Sequence, residues 1–461
     1  MSKSRRVRAG LGLTVVAGLL VFAVLGQVWL GGTAAAATSE RKPVTITFWN
    51  WWDGVREAYM KQVIANFEKE YPWIKIDSKI QGWEGFTARI ISAFAAGIAP
   101  EVVMAPRAEV LALADLGAII PITEYVKRDK VDLSMFYPAE VEAFRYEGEL
   151  WTLPLPTVTA NDDFYFYNKE AFEEAGLDPE NPPETWSSFM EIGKKLTRTD
   201  SQGEITQLFS RMAPHIYLDF LFSNNGDIVS KDLRRQAIDS QESLQAMNFI
   251  HEYATKINQG GKADAFVSRH NPTVGAAWMS GKEIVLFENV SVLNLIIDAM
   301  KQKRALRWGV GLIPYNDRNP KARSTGVAAR GFGWGYVIPK GLPKEKEEAA
   351  WLWIKFLTTD VRGTGVFSFL QGRPSPVRKF NENPDYRKLN PNFDKILRAM
   401  ETDRPLPALP IVRQLTDAVM NGLWGLCSGT VSPTDAANRV GTAVQNQLDQ
   451  YWRTRAQQTK R

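Results

Sequence analysis

Tryptophans and hydrogen-bonding side chains occur together at several points of the chain, first in WNWWDG at residues 49–54 and then in QGWEG at residues 81–85. An aromatic ring packs against the apolar C–H face of a sugar, while amide, carboxylate and guanidinium groups bind its hydroxyls. The candidate stacking residues are Trp51, Trp52, Trp83, Trp278 and Trp334. The candidate hydrogen-bonding residues are Asn50, Gln81, Glu84, Asp163, Glu288, Asn289 and Arg373. These residue types predict a site for a carbohydrate or polyol.

Trp334 is the strongest stacking candidate because glycines surround it in GFGWGY, residues 331–336. Glycines let a ligand approach the backbone closely. The alternative for each tryptophan is a place in the hydrophobic core, since Trp is highly buried on average. For Arg373 the alternative is an ion pair at the surface.

An enzyme is the competing class of function, because glycoside hydrolases also combine tryptophans with paired carboxylates. Glu84, Asp163 and Glu288 are the carboxylates that such a reaction would use. The sequence has three histidines without HExxH spacing, and it contains neither a GxSxG nucleophile motif nor a phosphate-binding GxxxxGK[ST] loop. We therefore predict a binding protein with no catalytic residue, no cofactor and no metal.

The charge balance argues against nucleic acid as a partner. The chain has 56 Lys and Arg against 51 Asp and Glu, and residues 1–37 hold four of the basic and none of the acidic residues, which leaves 52 against 51. No run of Lys and Arg is interleaved with aromatics. The single cysteine, Cys427, excludes an internal disulfide.

The first 37 residues have the pattern of an export signal. Arg5, Arg6 and Arg8 precede the apolar run Leu11–Leu25, and Ala34–Ala37 supply small residues for cleavage after Ala37. The alternative is an uncleaved anchor, because residues 9–30 are uncharged and long enough to span a bilayer. The chain is thus predicted to be secreted across the cytoplasmic membrane, and to be periplasmic or held at the outer face of the membrane by this segment.

The mature chain begins with a predicted β-α-β unit. Val44, Ile46 and Phe48 alternate with threonines, a helix with Met60, Val63, Ile64 and Phe67 on one face follows, and residues 74–80 form the next strand. Such a unit predicts a parallel sheet. Ligands bind beyond the carboxyl ends of the strands in such sheets, where WNWWDG and QGWEG fall.

A hinge is predicted at residues 153–159, because Pro154 and Pro156 among apolar residues favour extended chain. Residues 38–461 exceed the usual size of one core, so two lobes are expected. Further along, Asp239 and Glu242 form a capping-box pattern before an amphipathic helix with Leu244, Met247 and Ile250.

Several stretches in a fixed order resemble family 1 of the extracellular solute-binding proteins, which serve ABC importers and include the maltose- and trehalose-binding type. They are GELWTLPLPTVTANDDFYFYNKEAFEEAGLDPENPPETWSSF (148–189), APEVVMAPRAEVLALADLGAIIPI (99–122), VGAAWMSGKEIVLFENV (274–290), WGVGLIP (308–314), GFGWGYVIPKGLPKEKEEAAWLWIKFL (331–357) and QGRPSPVRK (371–379). Together they extend the resemblance over nearly the whole mature chain.

The resemblance implies an α/β fold of the Venus-flytrap type, with two lobes, a hinge of crossing strands and a ligand cleft between the lobes. The N-terminal lobe would comprise residues 44–157 and about 308–366, and the C-terminal lobe about 158–307 and 367–461. The implied partners are a small-molecule ligand and the permease subunits of an ABC transporter, with the binding protein acting as a monomer. A sensor that presents its closed form to a membrane receptor remains an alternative.

The resemblance also assigns site residues. Trp334 matches the position of the family's binding tryptophan, and Arg373 lies in the turn that carries a ligand-facing residue in many members. Arg107 stands where many members have an acidic residue near a strand end, which would favour an acidic or phosphorylated ligand, or an ion pair with Glu109. The expected ligand is a carbohydrate or polyol, with glycerol phosphate or another polar solute as the alternative.

Overall fold

The computed structural model describes residues 42–155, 164–271, 275–288, 290, 292–301, 307–328 and 333–458. Its two largest β-sheets have four strands and three strands. All of the described residues except Lys42 belong to one compact unit, Pro43–Arg461. The predicted leader and its alternative, a membrane anchor, lie outside the described residues. Within the described ranges, no helix combines the length and the apolar character that crossing a membrane requires.

The strands are β1 (Val44–Asn50), β2 (Ile74–Ile80), β3 (Val102–Pro106), β4 (Arg145–Tyr146), β5 (Glu149–Leu150), β6 (Phe164–Asn168), β7 (Arg198–Thr199), β8 (Ile205–Gln207), β9 (Val285–Leu286), β10 (Trp308–Leu312), β11 (Val327–Ala328), β12 (Trp334–Val337) and β13 (Arg404–Pro405). The longest of them lie in a four-stranded and a three-stranded sheet. Two local antiparallel pairs, β4-β5 and β7-β8, and the long-range parallel pair β11-β13 complete the described strands.

The helices are α1 (Val55–Glu70), α2 (Phe86–Ala95), α3 (Arg107–Asp115), α4 (Thr123–Arg128), α5 (Pro138–Glu142), α6 (Lys169–Glu174), α7 (Trp186–Leu196), α8 (Ile216–Ser223), α9 (Gln241–Lys256), α10 (Lys262–His270), α11 (Ala276–Met279), α12 (Val292–Lys301), α13 (Lys344–Thr359), α14 (Val366–Leu370), α15 (Asp385–Leu389), α16 (Phe393–Met400), α17 (Val412–Gly422), α18 (Trp424–Cys427) and α19 (Pro433–Gln458). A π-helical turn, Val361–Gly365, joins α13 to α14, and 3-10 turns occupy Leu133–Met135 and Arg378–Glu382.

The first sheet has the order β12-β3-β1-β2. β1 pairs in parallel with β2 and β3, and β12 runs antiparallel to β3. The alternation of β1 buries Ile46 and Phe48, and α1 buries Met60, Val63 and Phe67. The predicted β-α-β unit is therefore confirmed. The carboxyl ends of β1 and β2, together with the start of the antiparallel β12, lie at one edge of this sheet.

The second sheet has the order β10-β6-β9, and both pairings are antiparallel. Phe166 of β6 packs against Trp278 and Trp308, with ring centroids 5.9 Å apart in each case. These rings belong to a hydrophobic core that the second sheet shares with α12 and α16. We call the first sheet with its helices the first lobe, and the second sheet with its helices the second lobe.

The strand pairings show where the chain runs relative to the two sheets. Of the predicted hinge, residues 153–155 lie beside β12, with a bridge between Pro154 and Gly335, whereas residues 156–159 lie outside the described part. The expected division assigns Trp308–Leu312 to the first lobe, and this strand pairs with β6 in the second sheet. The strand that rejoins the first sheet is β12.

The expected crossing at residue 366 coincides with the start of α14. α14 stays with the first lobe, because Phe367 packs on Trp52 with ring centroids 4.9 Å apart. Val377 forms a bridge with Phe136, so the chain is still beside the first lobe there. After this point the chain reaches the core of the second sheet at α16, which contributes Ile396 and Ala399.

Gly335 lies where the hinge segment approaches β12 most closely. A Cβ atom at this position would lie 2.2 Å from Cγ2 and 2.8 Å from Oγ1 of Thr152. The same Oγ1 accepts a hydrogen bond from the Tyr336 N–H at 2.8 Å, which holds Thr152 in place. Only glycine fits this contact without a shift of the two segments.

Gly335→Ala is expected to lower the free energy of unfolding by about 1–3 kcal/mol, the usual cost of overpacking. Urea unfolding of residues 38–461 measures it. Gly82→Ala is the control, since no atom lies within 4 Å of a Cβ built there. Thr152→Ala added to Gly335→Ala should recover part of the loss, and equal stability of Gly335→Ala and wild type would contradict the steric account.

Glu283 is a buried carboxyl in the second lobe. Its side chain is 5% exposed, and its Oε1 accepts a hydrogen bond from the Arg211 backbone N–H at 3.2 Å. The Arg211 guanidinium lies 3.5 Å from the Asp264 carboxylate. Burial raises the pKa of Glu283 to about 7, although the hydrogen bond and charge of Arg211 oppose the shift. The native protein therefore binds a proton at this residue more readily than the unfolded chain does.

Candidate functional site

Four aromatic rings form one cluster at the shared edge of the first sheet. Trp334 lies 5.7 Å from Trp51, 5.7 Å from Trp83 and 5.4 Å from Phe86, measured between ring centroids. Trp51 follows β1, Trp83 follows β2, Phe86 begins α2 and Trp334 begins β12. Three of the predicted stacking residues are thus brought together, and Phe86 is a member that the sequence analysis missed.

The rings of this aromatic cluster differ in exposure. Trp51 is fully buried, Trp334 is half-buried, and 44% of the surface of Trp83 is exposed. The Trp83 and Trp334 rings stand nearly perpendicular, with an angle of 86° between their planes. The Trp83 and Trp334 rings therefore present adjacent faces of different orientation at this edge. Trp51 and Phe86 pack against both rings.

Asn50 and Trp51 hold the loops of this edge together. Asn50 donates from Nδ2 to Ser78 Oγ at 2.9 Å and accepts at Oδ1 from the Trp52 N–H at 3.1 Å. Trp51 donates from Nε1 to the Gly82 carbonyl at 3.1 Å. Both side chains are fully buried in this conformation, where they join the loops of the edge.

Asp53, another residue that the sequence analysis missed, links this edge to α1. One carboxylate oxygen accepts from Trp83 Nε1 at 3.1 Å, and the other accepts from Arg56 Nη2. Partial burial raises the pKa of Asp53, but the hydrogen bond and charge of Arg56 and the Trp83 N–H outweigh it, so the net pKa lies below its usual value. The carboxylate is therefore ionised at neutral pH. Its place in WWDG, beside the predicted tryptophans, is the sequence feature that could have identified Asp53 as a site residue.

Trp52 faces the interior of the first lobe rather than the edge. It is 3% exposed, its Nε1 donates to Tyr336 Oη at 3.3 Å, and Phe367 packs on its ring. The Arg56 guanidinium carbon lies 5.5 Å from the centre of the same ring. These contacts leave little of the Trp52 ring accessible in this conformation.

Arg373 is 6% exposed. Burial and, second to it, the nearby charge of Arg56 lower its pKa to about 9. A pKa of about 9 leaves the guanidinium charged at neutral pH. The alternative for Arg373, an ion pair at the surface, does not agree with this burial. The charge of Arg373 acts on that of Arg56, which pairs with Asp53, the acceptor of the Trp83 N–H.

Arg107 lies in the interior, bonded to backbone carbonyls of distant segments. It is fully buried, and its guanidinium donates to the carbonyls of Ala143 at 2.5 Å, Leu406 at 2.7 Å and Pro407 at 3.2 Å. Burial lowers its pKa to about 9. The suggested partner, Glu109, pairs instead with Arg413 at 2.8 Å.

The remaining candidates do not gather at one point of the described structure. Trp278 is fully buried in the core of the second lobe. Glu84 is exposed, and Gln81 is half-buried with its backbone N–H donating to the Asn50 carbonyl at 2.8 Å. Glu288 is half-buried. Asp163 and Asn289 lie outside the described residues.

Among the described residues, no three His, Cys, Asp or Glu side chains are placed to hold a metal ion. The chemistry of the edge is that of non-covalent binding: aromatic faces, an ionised carboxylate at the rim and two guanidinium groups. Such a set suits a polar ligand with an apolar face.

The chain matches the family model described as bacterial extracellular solute-binding protein over residues 62–392. It is 24% identical over 440 residues to the sn-glycerol-3-phosphate-binding periplasmic protein UgpB of Shigella dysenteriae and to that of Escherichia coli K12, covering 91% of this chain and 94% of each relative.

Solved structures show the same fold. The sugar-binding protein MalE from Xanthomonas citri aligns with a TM-score of 0.75 at 18% identity, covering 90% of this chain and all of that one. The substrate-binding protein Lmo0181 from Listeria monocytogenes, in complex with cycloalternan, aligns with a TM-score of 0.72 at 17% identity, covering 89% of this chain and all of that one.

Proposed function

This chain belongs to the bacterial extracellular solute-binding proteins, and we propose that it captures a carbohydrate or polyol between its two lobes and delivers it to the permease of an ABC importer. The observation that carries the ligand class is the aromatic cluster at the carboxyl edge of the first sheet, with Trp83 and Trp334 presenting adjacent faces. The family consists of binding proteins rather than enzymes, so Glu84, Asp163 and Glu288 are not assigned a reaction.

We further propose a division of the lobes that follows the strand pairings. The first lobe comprises residues 44 to about 155 and about 333 to 377, and the second comprises about 164 to 328 and about 385 to 458. The pairing of β10 with β6 and the packing of α14 on Trp52 support these limits. The aromatic cluster then belongs entirely to the first lobe, and the second lobe supplies the opposite wall of the cleft.

Capture works as a population shift in this account. A ligand that contacts both lobes binds the closed state better than the open state and so favours closure. The rims of the closed lobes then dock on the permease, and ATP hydrolysis takes place on a separate subunit. We propose that the protein acts as a monomer in the periplasm, or at the outer face of the membrane if its first 37 residues are retained.

A phosphorylated polyol is the second candidate ligand, favoured by the two guanidinium groups near the aromatic cluster. The charge of Arg56 lowers the pKa of Arg373, and a phosphate bound near both would relieve that repulsion. The curated relatives named above bind sn-glycerol 3-phosphate, which agrees with this chemistry. Asp53 partly neutralises Arg56, which leaves room for neutral ligands as well.

A thermal-shift screen of residues 38–461 separates the two candidates. The panel comprises maltose, maltotriose, mannobiose, glycerol, sn-glycerol 3-phosphate and glucose 6-phosphate. A ligand at about 100 times its Kd stabilises the folded state by about 2.7 kcal/mol, so a true ligand raises the Tm. Arg373→Met should abolish a phosphate response and spare a neutral one. Stabilisation by none of these compounds, with release of sugar from a glycoside panel, would contradict the binding function.

A further inference from the structure

Trp83 is a partly exposed ring on the loop that follows β2. Trp51, Phe86 and Trp334 pack against it, while 44% of its surface stays exposed. The loop itself is held at Gly82, whose carbonyl accepts from Trp51 Nε1 at 3.1 Å and from Arg89 Nη1 at 2.9 Å. Fixing an exposed side chain costs conformational entropy, so a specific contact at the outer edge of the ring helps to hold it ready for a ligand.

The indole N–H of Trp83 supplies that contact. Nε1 donates to Asp53 Oδ2 at 3.1 Å, and Asp53 Oδ1 accepts from Arg56 Nη2. Arg56 lies in the first turn of α1, and its Nε also reaches the Asp53 carbonyl at 3.4 Å. Each oxygen of one carboxylate therefore has a separate partner. The chain of contacts runs from α1 through Arg56 and Asp53 to the ring.

We propose that Asp53 is a positioning residue, which fixes the Trp83 ring as the outer wall of the ligand site through its indole N–H. Arg56 orients the carboxylate. A hydrogen bond to a charged group is stronger than one between neutral groups, so one carboxylate is sufficient to select a single ring orientation. This assignment rests on the proposed function for its effect on binding, whereas the orientation of the ring is measurable without any ligand.

The first test uses ¹⁹F NMR of residues 38–461 labelled with 5-fluorotryptophan, with the Trp83 resonance assigned by its loss in Trp83→Phe. Asp53→Ala is expected to shift this resonance toward the position of a solvated indole, and Asp53→Asn, which keeps an acceptor oxygen, should shift it less. Glu57→Ala is the matched control, because Glu57 lies in the same turn of α1 and pairs with Lys61 at 2.6 Å. An unchanged Trp83 resonance in Asp53→Ala would overturn the proposal.

The second test is a double-mutant cycle with maltotriose as the neutral probe, measured by calorimetric titration. Trp83→Phe keeps an aromatic ring but has no N–H to donate. Asp53→Ala should weaken maltotriose binding about tenfold in the wild-type background and less than twofold in Trp83→Phe. Equal weakening in both backgrounds would mean that Asp53 acts on the ligand directly and would refute the positioning role.

The two tests separate the positioning role from the proposed function. If maltotriose does not bind the wild-type protein, maltotriose is excluded as the ligand, and the ¹⁹F spectrum alone decides whether Asp53 positions the ring. If maltotriose binds and the Trp83 resonance is unchanged in Asp53→Ala, the positioning role is refuted and the binding function is supported.

Discussion

Trp334→Ala is expected to weaken the binding of the solute found in the panel by about a hundredfold, because a buried aromatic anchor carries a large share of binding energy. Trp334 contacts Trp51, Trp83 and Phe86, so its removal deprives the ligand of one face and loosens the neighbouring faces as well. Calorimetric titration of the variant and of wild-type residues 38–461 measures the change.

Two controls separate lost contact from lost folding. Trp424→Ala removes a tryptophan that is 55% exposed on α18, outside the aromatic cluster, and should leave affinity unchanged. Trp334→Phe keeps a ring in the cluster and should lose clearly less affinity than Trp334→Ala. Unaltered affinity in a folded Trp334→Ala variant would remove the aromatic cluster from the ligand site.

Glu283→Gln is expected to stabilise the protein at alkaline pH. The pKa of this carboxyl is about 7 in the native state against about 4.5 unfolded, so the native state binds more protons between these values. The contribution of Glu283 to stability is thus fully present below about pH 4.5 and declines as pH rises to about 7. Relative to wild type, Glu283→Gln should gain roughly 2–3 kcal/mol in unfolding free energy between pH 5 and pH 8.

Urea unfolding at the two pH values gives this difference directly. Glutamine keeps an oxygen to accept from the Arg211 N–H, so the comparison isolates the charge. Glu191→Gln serves as the control, because Glu191 is exposed on α7 and should show no such trend. A constant difference between Glu283→Gln and wild type across this range would show that Glu283 stays ionised in the native protein.

The position of the aromatic cluster followed from local patterns. The alternation in β1 and the apolar face of α1 required a parallel β-α-β unit, and that topology brings Trp51 and Trp83 to one edge. The glycines around Trp334 predict that a ligand approaches the backbone closely; at Gly335 the close neighbour in the structure is Thr152. These features depend on residues near one another in sequence, which is why they could be predicted.

Burial of individual polar and aromatic residues could not be predicted in the same way. Trp278 is core because Phe166, more than 100 residues earlier in the chain, packs against it. Arg107 is enclosed because Leu406 and Pro407 supply carbonyls from a distant segment. Residue type gives no information on such partners, so both were assigned to the ligand site.

The limits of the lobes depended on pairing and on helix continuity. Trp308–Leu312 has the composition of any buried strand, and nothing local selects β6 over the first sheet. Residue 366 begins α14, which directly follows the π-helical turn Val361–Gly365, so no irregular segment marks a boundary there. The start of helix α9 is predicted one residue too early. Its N-cap is Ser240, whose side chain accepts from the Ser243 N–H, and not the predicted Asp239.

A crystal structure of residues 38–461 with the solute found in the panel is the most direct test of the central claim. We expect one solute molecule in contact with Trp83 and Trp334, with the second lobe closed over its other side. A solute bound elsewhere, or one that contacts a single lobe without touching the aromatic cluster, would contradict capture between the lobes.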